Sequence, residues 1–314
     1  MPADGVIQVA VDRYLLPASI TRQSIVVTDA NGQPFTADDA PIITYDPVAL
    51  TVTANPPRPD WLKEGLSYKV RFTIPPNDDV NDQGFRAIDR ATLDPNQQLE
   101  YAFFVGPKTG NANGEPKLNF CSDVLPIFAA KCSETVACHG SQSQSPEHAA
   151  GLALDSSRGV ANTAINRVAN GANTSGRGGD PDAPGRVFGV NMAVIKPFEP
   201  DNSWLMYKVE LARPTTIDAG TLPTIVCAPP QGQPAFPPRQ GRYVPLAAAY
   251  TTADDIDRTV LSDYVLGREM PYPNKPQETT AFETPLTFAE REAIRIWIAQ
   301  GAVVTDCGGC GAKE

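Results

Sequence analysis

The sequence predicts a multidomain chain: an all-β sandwich over residues 1–107, a linker at 108–118 and an all-α domain over 119–314. The second domain carries a long proline-rich insertion at about 213–250. Three observations predict this. Apolar residues alternate with polar ones in the first third, a polar Gly/Pro stretch follows, and beyond it apolar residues recur at helical spacing.

Ile7, Val9 and Val11 open the alternating pattern. Ser67–Ile74 repeats it, with Tyr68, Val70, Phe72 and Ile74 on one face and Lys69, Arg71 and Thr73 on the other. Tyr101, Phe103 and Val105 close it, and Asn31-Gly32 is a hairpin signal. Six or seven short strands over such a length suggest two packed sheets. The segments "LKEGLSYKVRF", "DQGFRAIDR" and "YAFFVG" resemble bacterial Ig-like domains over residues 5–106. The resemblance implies a spacer or interaction module. Asp78, Asp79 and Asp82 have oxygen ligands suited to Ca²⁺, although a solvated turn explains them as well.

"GPKTGNANGEPK" at Gly106–Lys117 has no periodicity and reads as linker. Phe120, Val124, Ile127 and Phe128 then fall at helical spacing, with Ser122 as the expected N-cap and Pro126 in the first turn. Asp201-Asn202-Ser203 precedes a second helix with Trp204, Leu205 and Val209. Thr287 and Glu290 form a capping box for a last helix, in which Ile294, Trp297 and Ile298 make an apolar stripe and Gly301 is the stop.

Net charge is −10, with 14 acids against 8 bases in residues 1–107 and 22 against 18 beyond. Such a balance disfavours nucleic acid, which selects a basic patch. No apolar run reaches the roughly 18 residues of a membrane span. Six cysteines suggest an oxidising compartment. The opening "MPADGVIQVAVDRYLLP" has no basic n-region and no apolar h-region. The expectation is therefore an exported protein of the periplasm, outer-membrane surface or extracellular space, with its signal segment absent from this sequence.

The chemistry lies in "FCSDVLPIFAAKCSETVACHGS". Two cysteines followed at once by histidine are what covalent haem attachment requires: each thiol adds to a haem vinyl group, and the histidine ligates the iron. The usual spacing is C-x-x-C-H. Here Cys132 and Cys138 enclose five residues, Ser133–Ala137, and Thr135 stands where the shorter spacing would put a cysteine. Either the five residues loop out and both cysteines bond, or Cys138 bonds alone. An unattached Cys132 beside a haem would be a reactive liability, which favours two thioethers.

The ordered set Asp123–Phe128, Cys138-His139-Gly140, "AGLALDSS" at 150–157, "KPFEPDNSWLMYKV" at 196–209, Met270-Pro271 and "IWIAQGA" at 296–302 resembles the cytochrome c family. The likeness is strongest to its planctomycete-type domains and covers residues 119–302. It implies one haem c per chain, His139 and Met270 as axial ligands, and an electron carrier, not an enzyme, that works with redox protein partners. Self-association or a larger cell-surface assembly is compatible with it. His148 is the alternative distal ligand. Phe128, Trp204, Leu205 and Tyr272 are candidates for the pocket wall, whereas Met192 and Met206 read as core.

Cys121, Cys227, Cys307 and Cys310 are disulfide candidates with three possible pairings. One bridge is expected to tether the insertion through Cys227. Two competing readings differ in class. A haem peroxidase needs an open iron position and a neighbouring acid–base group. A haem-free scaffold would use Cys132, Cys138, His139 and His148 as a zinc site.

Overall fold

In the computed structural model of the chain, strand β5 (Ser67–Phe72) shows how the first sheets arise. Its residues alternate exposed and buried, so Tyr68, Val70 and Phe72 enter the interior while Ser67, Lys69 and Arg71 face outward. The described residues are 1–77, 83–109, 115–133, 138–140, 149–172, 188–212, 225–227, 232, 252–265, 267–272, 285–308 and 310–312. They divide into two units, Met1–Gly114 and Glu115–Glu314. The boundary falls within the stretch read as linker.

The first unit is built from β1 (Ile7–Ala10), β2 (Ile25–Thr28), β3 (Ile42–Asp46), β4 (Thr51–Asn55), β5 and β6 (Glu100–Phe104). They form two antiparallel three-stranded sheets, ordered β1-β4-β3 and β2-β5-β6. Ile25, Val27, Tyr45, Val52, Ala54, Tyr68, Val70 and Phe72 from both sheets meet in one core. Each of the larger aliphatic and phenylalanine side chains among them contributes roughly 1.5–3 kcal/mol. Asn31-Gly32 lies in a tight turn: Gly32 has φ +78°, the Asp29 carboxylate accepts from the Asn31 and Gln33 amides at 2.9 Å each, and Phe35 bonds back to Val27. The candidate Ca²⁺ ligands Asp78, Asp79 and Asp82 lie outside the described residues.

In the second unit a π-helical turn, Phe120–Val124, runs into α1 (Leu125–Cys132). Its cap is Asn119, not the expected Ser122. The Asn119 side chain accepts from the Cys121 and Ser122 amides, and the Asp123 carboxylate accepts from the Asn119 amide at 2.7 Å. Further helices are α2 (Ser157–Thr163), α3 (Trp204–Glu210), α4 (Thr252–Tyr264) and α5 (Phe288–Ala299). Thr287 and Glu290 close a reciprocal capping box on α5, and Gly301 (φ +99°) follows its end. Trp297 of α5 packs against Phe120 and Phe128, with ring centroids 5.2 and 6.1 Å apart. This joins the first and last helices of the unit.

The expected class, an all-β domain followed by an all-α cytochrome c domain, is overturned. The second unit is mixed. Strand β7 (Ile225–Cys227) pairs antiparallel with β8 (Cys310–Ala312), and this two-stranded sheet lies against α1. Isolated bridges Ile165↔Ile195, Val168↔Ala193 and Ala193↔Ser203 stitch together extended segments between the helices. The physical reason is that these stretches satisfy their backbone groups with distant extended partners and not within local turns. The proline-rich insertion is consequently not wholly irregular, because β7 lies within it. No helix among the described residues is long and apolar enough to cross a membrane.

Candidate functional site

Helix α1 carries Cys132 at its last position, and Ser133 leaves helical geometry at once (φ −131°, ψ 1°). The chain is described again at Cys138. There the His139 amide donates to the Cys132 carbonyl at 2.8 Å, one of the terminal carbonyls that a helix leaves without an internal donor. The His139 carbonyl in turn accepts from the Leu154 amide at 2.6 Å and from the Ser133 hydroxyl at 3.4 Å. A Cβ on Gly140 would lie 2.5 Å from the Ser133 carbonyl oxygen, so the return path closes only over a glycine. The five-residue spacer therefore lengthens the loop without separating its ends.

Cys132 is buried and Cys138 half-buried, and neither takes part in a disulfide. Burial pushes the Cys132 thiol up to about 12, with the nearby Cys138 and Glu290 acting in the same direction and Lys131 opposing them. Cys132 is thus held as a neutral thiol next to a second, more accessible one. The imidazole of the very next residue completes a donor set that fits covalent haem: two sulfurs for two vinyl groups and one nitrogen for iron.

Met270 belongs to a different element. It lies in the segment 267–272, partly buried, and its amide donates to the carbonyl of Lys208 on α3 at 3.1 Å. The His139 backbone returns to the C-terminal end of α1 at Cys132, whereas the Met270 backbone is bonded to α3. The alternative ligand His148 lies outside the described residues. Among the described residues no three His, Cys, Asp or Glu side chains group as a metal site, and a zinc arrangement of Cys132, Cys138, His139 and His148 has no described counterpart. Met206 is fully buried and Met192 nearly so.

The expected pocket-wall residues divide. Phe128 is fully buried against Trp297. Trp204 packs on Phe188 and covers Gly171 and Gly189, where a Cβ would approach its ring to 3.2 and 2.7 Å. Leu205 is buried, and Tyr272 is exposed beneath the Arg268 guanidinium, 4.4 Å from its ring centroid.

Of the remaining cysteines, Cys121 and Cys307 form a disulfide with Cα atoms 5.4 Å apart. Cys227 and Cys310 stand directly opposite each other in the β7–β8 register. Their side chains lie outside the described part of the structure.

Sequence reasoning missed the buried charges beside the site. Arg291 donates to Glu210 at 2.7 Å and to the Ala212 carbonyl at 2.6 Å. Arg295 bonds Glu292 at 2.9 Å and also Glu115. Burial holds the Glu290 carboxyl above its usual range while Lys131 opposes the shift. The available signal was the density of charge in "FAEREAIRIW", which reads as a solvated face unless its partners on α3 are known. Comparison of the chain with family models, with curated proteins and with solved structures finds no match.

Proposed function

We propose that this chain is an electron carrier with one covalently bound haem c. The observation that supports the reading is the bond from the His139 amide to the Cys132 carbonyl, which returns the backbone after the second cysteine to the end of α1 despite the long spacer. Cys132 and Cys138 would hold the group as thioethers: each S–H adds across a vinyl C=C, forming one C–S and one C–H bond with no oxidant required. His139 and Met270 would be the residues that ligate its iron. Bound there, the haem supplies a one-electron couple, and a thioether ligand raises its potential.

The chain's own residues fix the peptide that carries the imidazole through the His139 amide and carbonyl, and they shield the Cys132 sulfur by burial. An oxidising compartment fits this reading, because the Cys121–Cys307 disulfide persists where thiols are not kept reduced, and an electron carrier would work there with a redox partner protein. Intact-mass analysis tests the reading, using protein made in a host that matures c-type cytochromes. One haem mass added per chain, retained under denaturation, is the expected result. Removal of the adduct only by Cys132→Ala and Cys138→Ala together indicates two thioethers. A chain of unmodified mass would refute the proposal.

A further inference from the structure

The segment bearing Met270 meets one residue of α3 three times. The Lys208 carbonyl accepts from the Met270 amide at 3.1 Å. Its ammonium donates to the Arg268 carbonyl. At Gly267 (φ +89°) the backbone passes so close that a Cβ would lie 3.3 Å from Lys208 Nζ. Lys208 sits in the last turn of a short helix whose residues are all buried, and it is itself only 9% exposed. Burying an ammonium is costly unless it is hydrogen-bonded. A leucine or methionine would fill the helix position without that cost, so the amine has a task beyond packing.

We infer that Lys208 is a positioning residue that clamps the 267–270 segment onto α3 and thereby sets the approach of the Met270 thioether. The inference rests on the reading of Met270 as the second axial ligand. The carbonyl contact survives any side-chain change, whereas the ammonium contact to Arg268 does not. Lys208→Met keeps the stem and removes the donor, and Lys208→Arg keeps a cationic donor. Gly267→Ala disturbs the same clamp from the segment side while leaving α3 intact.

The test uses the haem-loaded full chain and titrates imidazole onto the ferric protein, monitoring the weak charge-transfer band of methionine-ligated iron. Met270→Ala abolishes the band if the underlying reading holds. Lys208→Met keeps one haem per chain, weakens the band and binds imidazole roughly ten-fold more tightly, the scale of one charge-assisted hydrogen bond lost from the closed segment. Lys208→Arg recovers most of the difference. Gly267→Ala shifts affinity in the same direction as Lys208→Met, and carries the test alone if that variant does not fold. Wild-type band and affinity in both variants, with the band lost in Met270→Ala, overturn the positioning role and leave the ligand assignment standing. A band unaffected by Met270→Ala removes the ligand assignment itself.

Discussion

The His139 amide lies 2.8 Å from the Cys132 carbonyl, so the residue after the second cysteine of the motif is bonded to the first cysteine itself. That single bond brings the backbone after the second cysteine back to the first across the long spacer. It uses a helix-end carbonyl, orients the peptide carrying the imidazole, and keeps Cys138 within one residue of the junction. At this junction Cys132 is buried and Cys138 half-buried.

Gly140 is a tightly fitted point of that closure. Gly140→Ala would put Cβ 2.5 Å from the Ser133 carbonyl oxygen, in a place walled by backbone. The expected cost is about 1–3 kcal/mol, the scale of overpacking a fitted site. A fall in the haem-to-protein ratio should accompany it. Thermal melts and the ratio of visible to ultraviolet absorbance measure both effects, and an unaltered variant would mean that the loop closes differently.

The disulfides give a second prediction. Cys121 and Cys307 are separated by 186 residues in sequence, so their bond constrains most of the second unit. The double variant Cys121→Ala/Cys307→Ala should lose about 2–5 kcal/mol in denaturant unfolding. Cys227 and Cys310 are register partners in an antiparallel pair, where opposed Cα atoms stand about 4.5–5.5 Å apart, within the span that a disulfide bridges. Peptide mapping without reductant should find Cys227 linked to Cys310. Each of these two alkylated as a thiol would contradict the pairing.

Much of the architecture was legible where a local period governs. The alternation from Ser67 marks β5, the spacing of Phe120, Val124, Ile127 and Phe128 marks the first helical segment, and Thr287 with Glu290 marks the start of α5. What escaped depends on distant partners. Ile225–Cys227 is three residues long and becomes a strand only because Cys310–Ala312, more than eighty positions later, lies beside it. Helix α5 displays charges that mimic a solvated face, yet Glu290, Arg291, Glu292 and Arg295 are all buried, and Arg291 is paired with Glu210 from α3. At the site, the motif named Cys132, Cys138 and His139, but no pattern revealed that Lys208 holds the Met270 segment.

A third prediction concerns pH. Burial pushes the Asp201 carboxyl up to about 7, with Glu199 adding to the shift. The folded state therefore keeps its proton between pH 4 and 7, where an unfolded aspartate with a pKa near 3.9 has lost it. Stability from this group is fully present below about pH 4. It declines as pH rises toward 7, by up to about 1.4 kcal/mol per pH unit. Asp201→Asn should flatten that decline in melts recorded from pH 4 to 7, while an unchanged slope would place its origin elsewhere.

The central claim is a covalently held haem, and the pyridine haemochrome spectrum of protein from a host that matures c-type cytochromes tests it most directly. Two thioethers, from Cys132 and Cys138, should give the reduced α-band position of haem c with both vinyl groups saturated, at one haem per chain. A band at the position for one remaining vinyl group would show that a single cysteine bonds, and absence of any haem from the purified, matured protein would contradict the account.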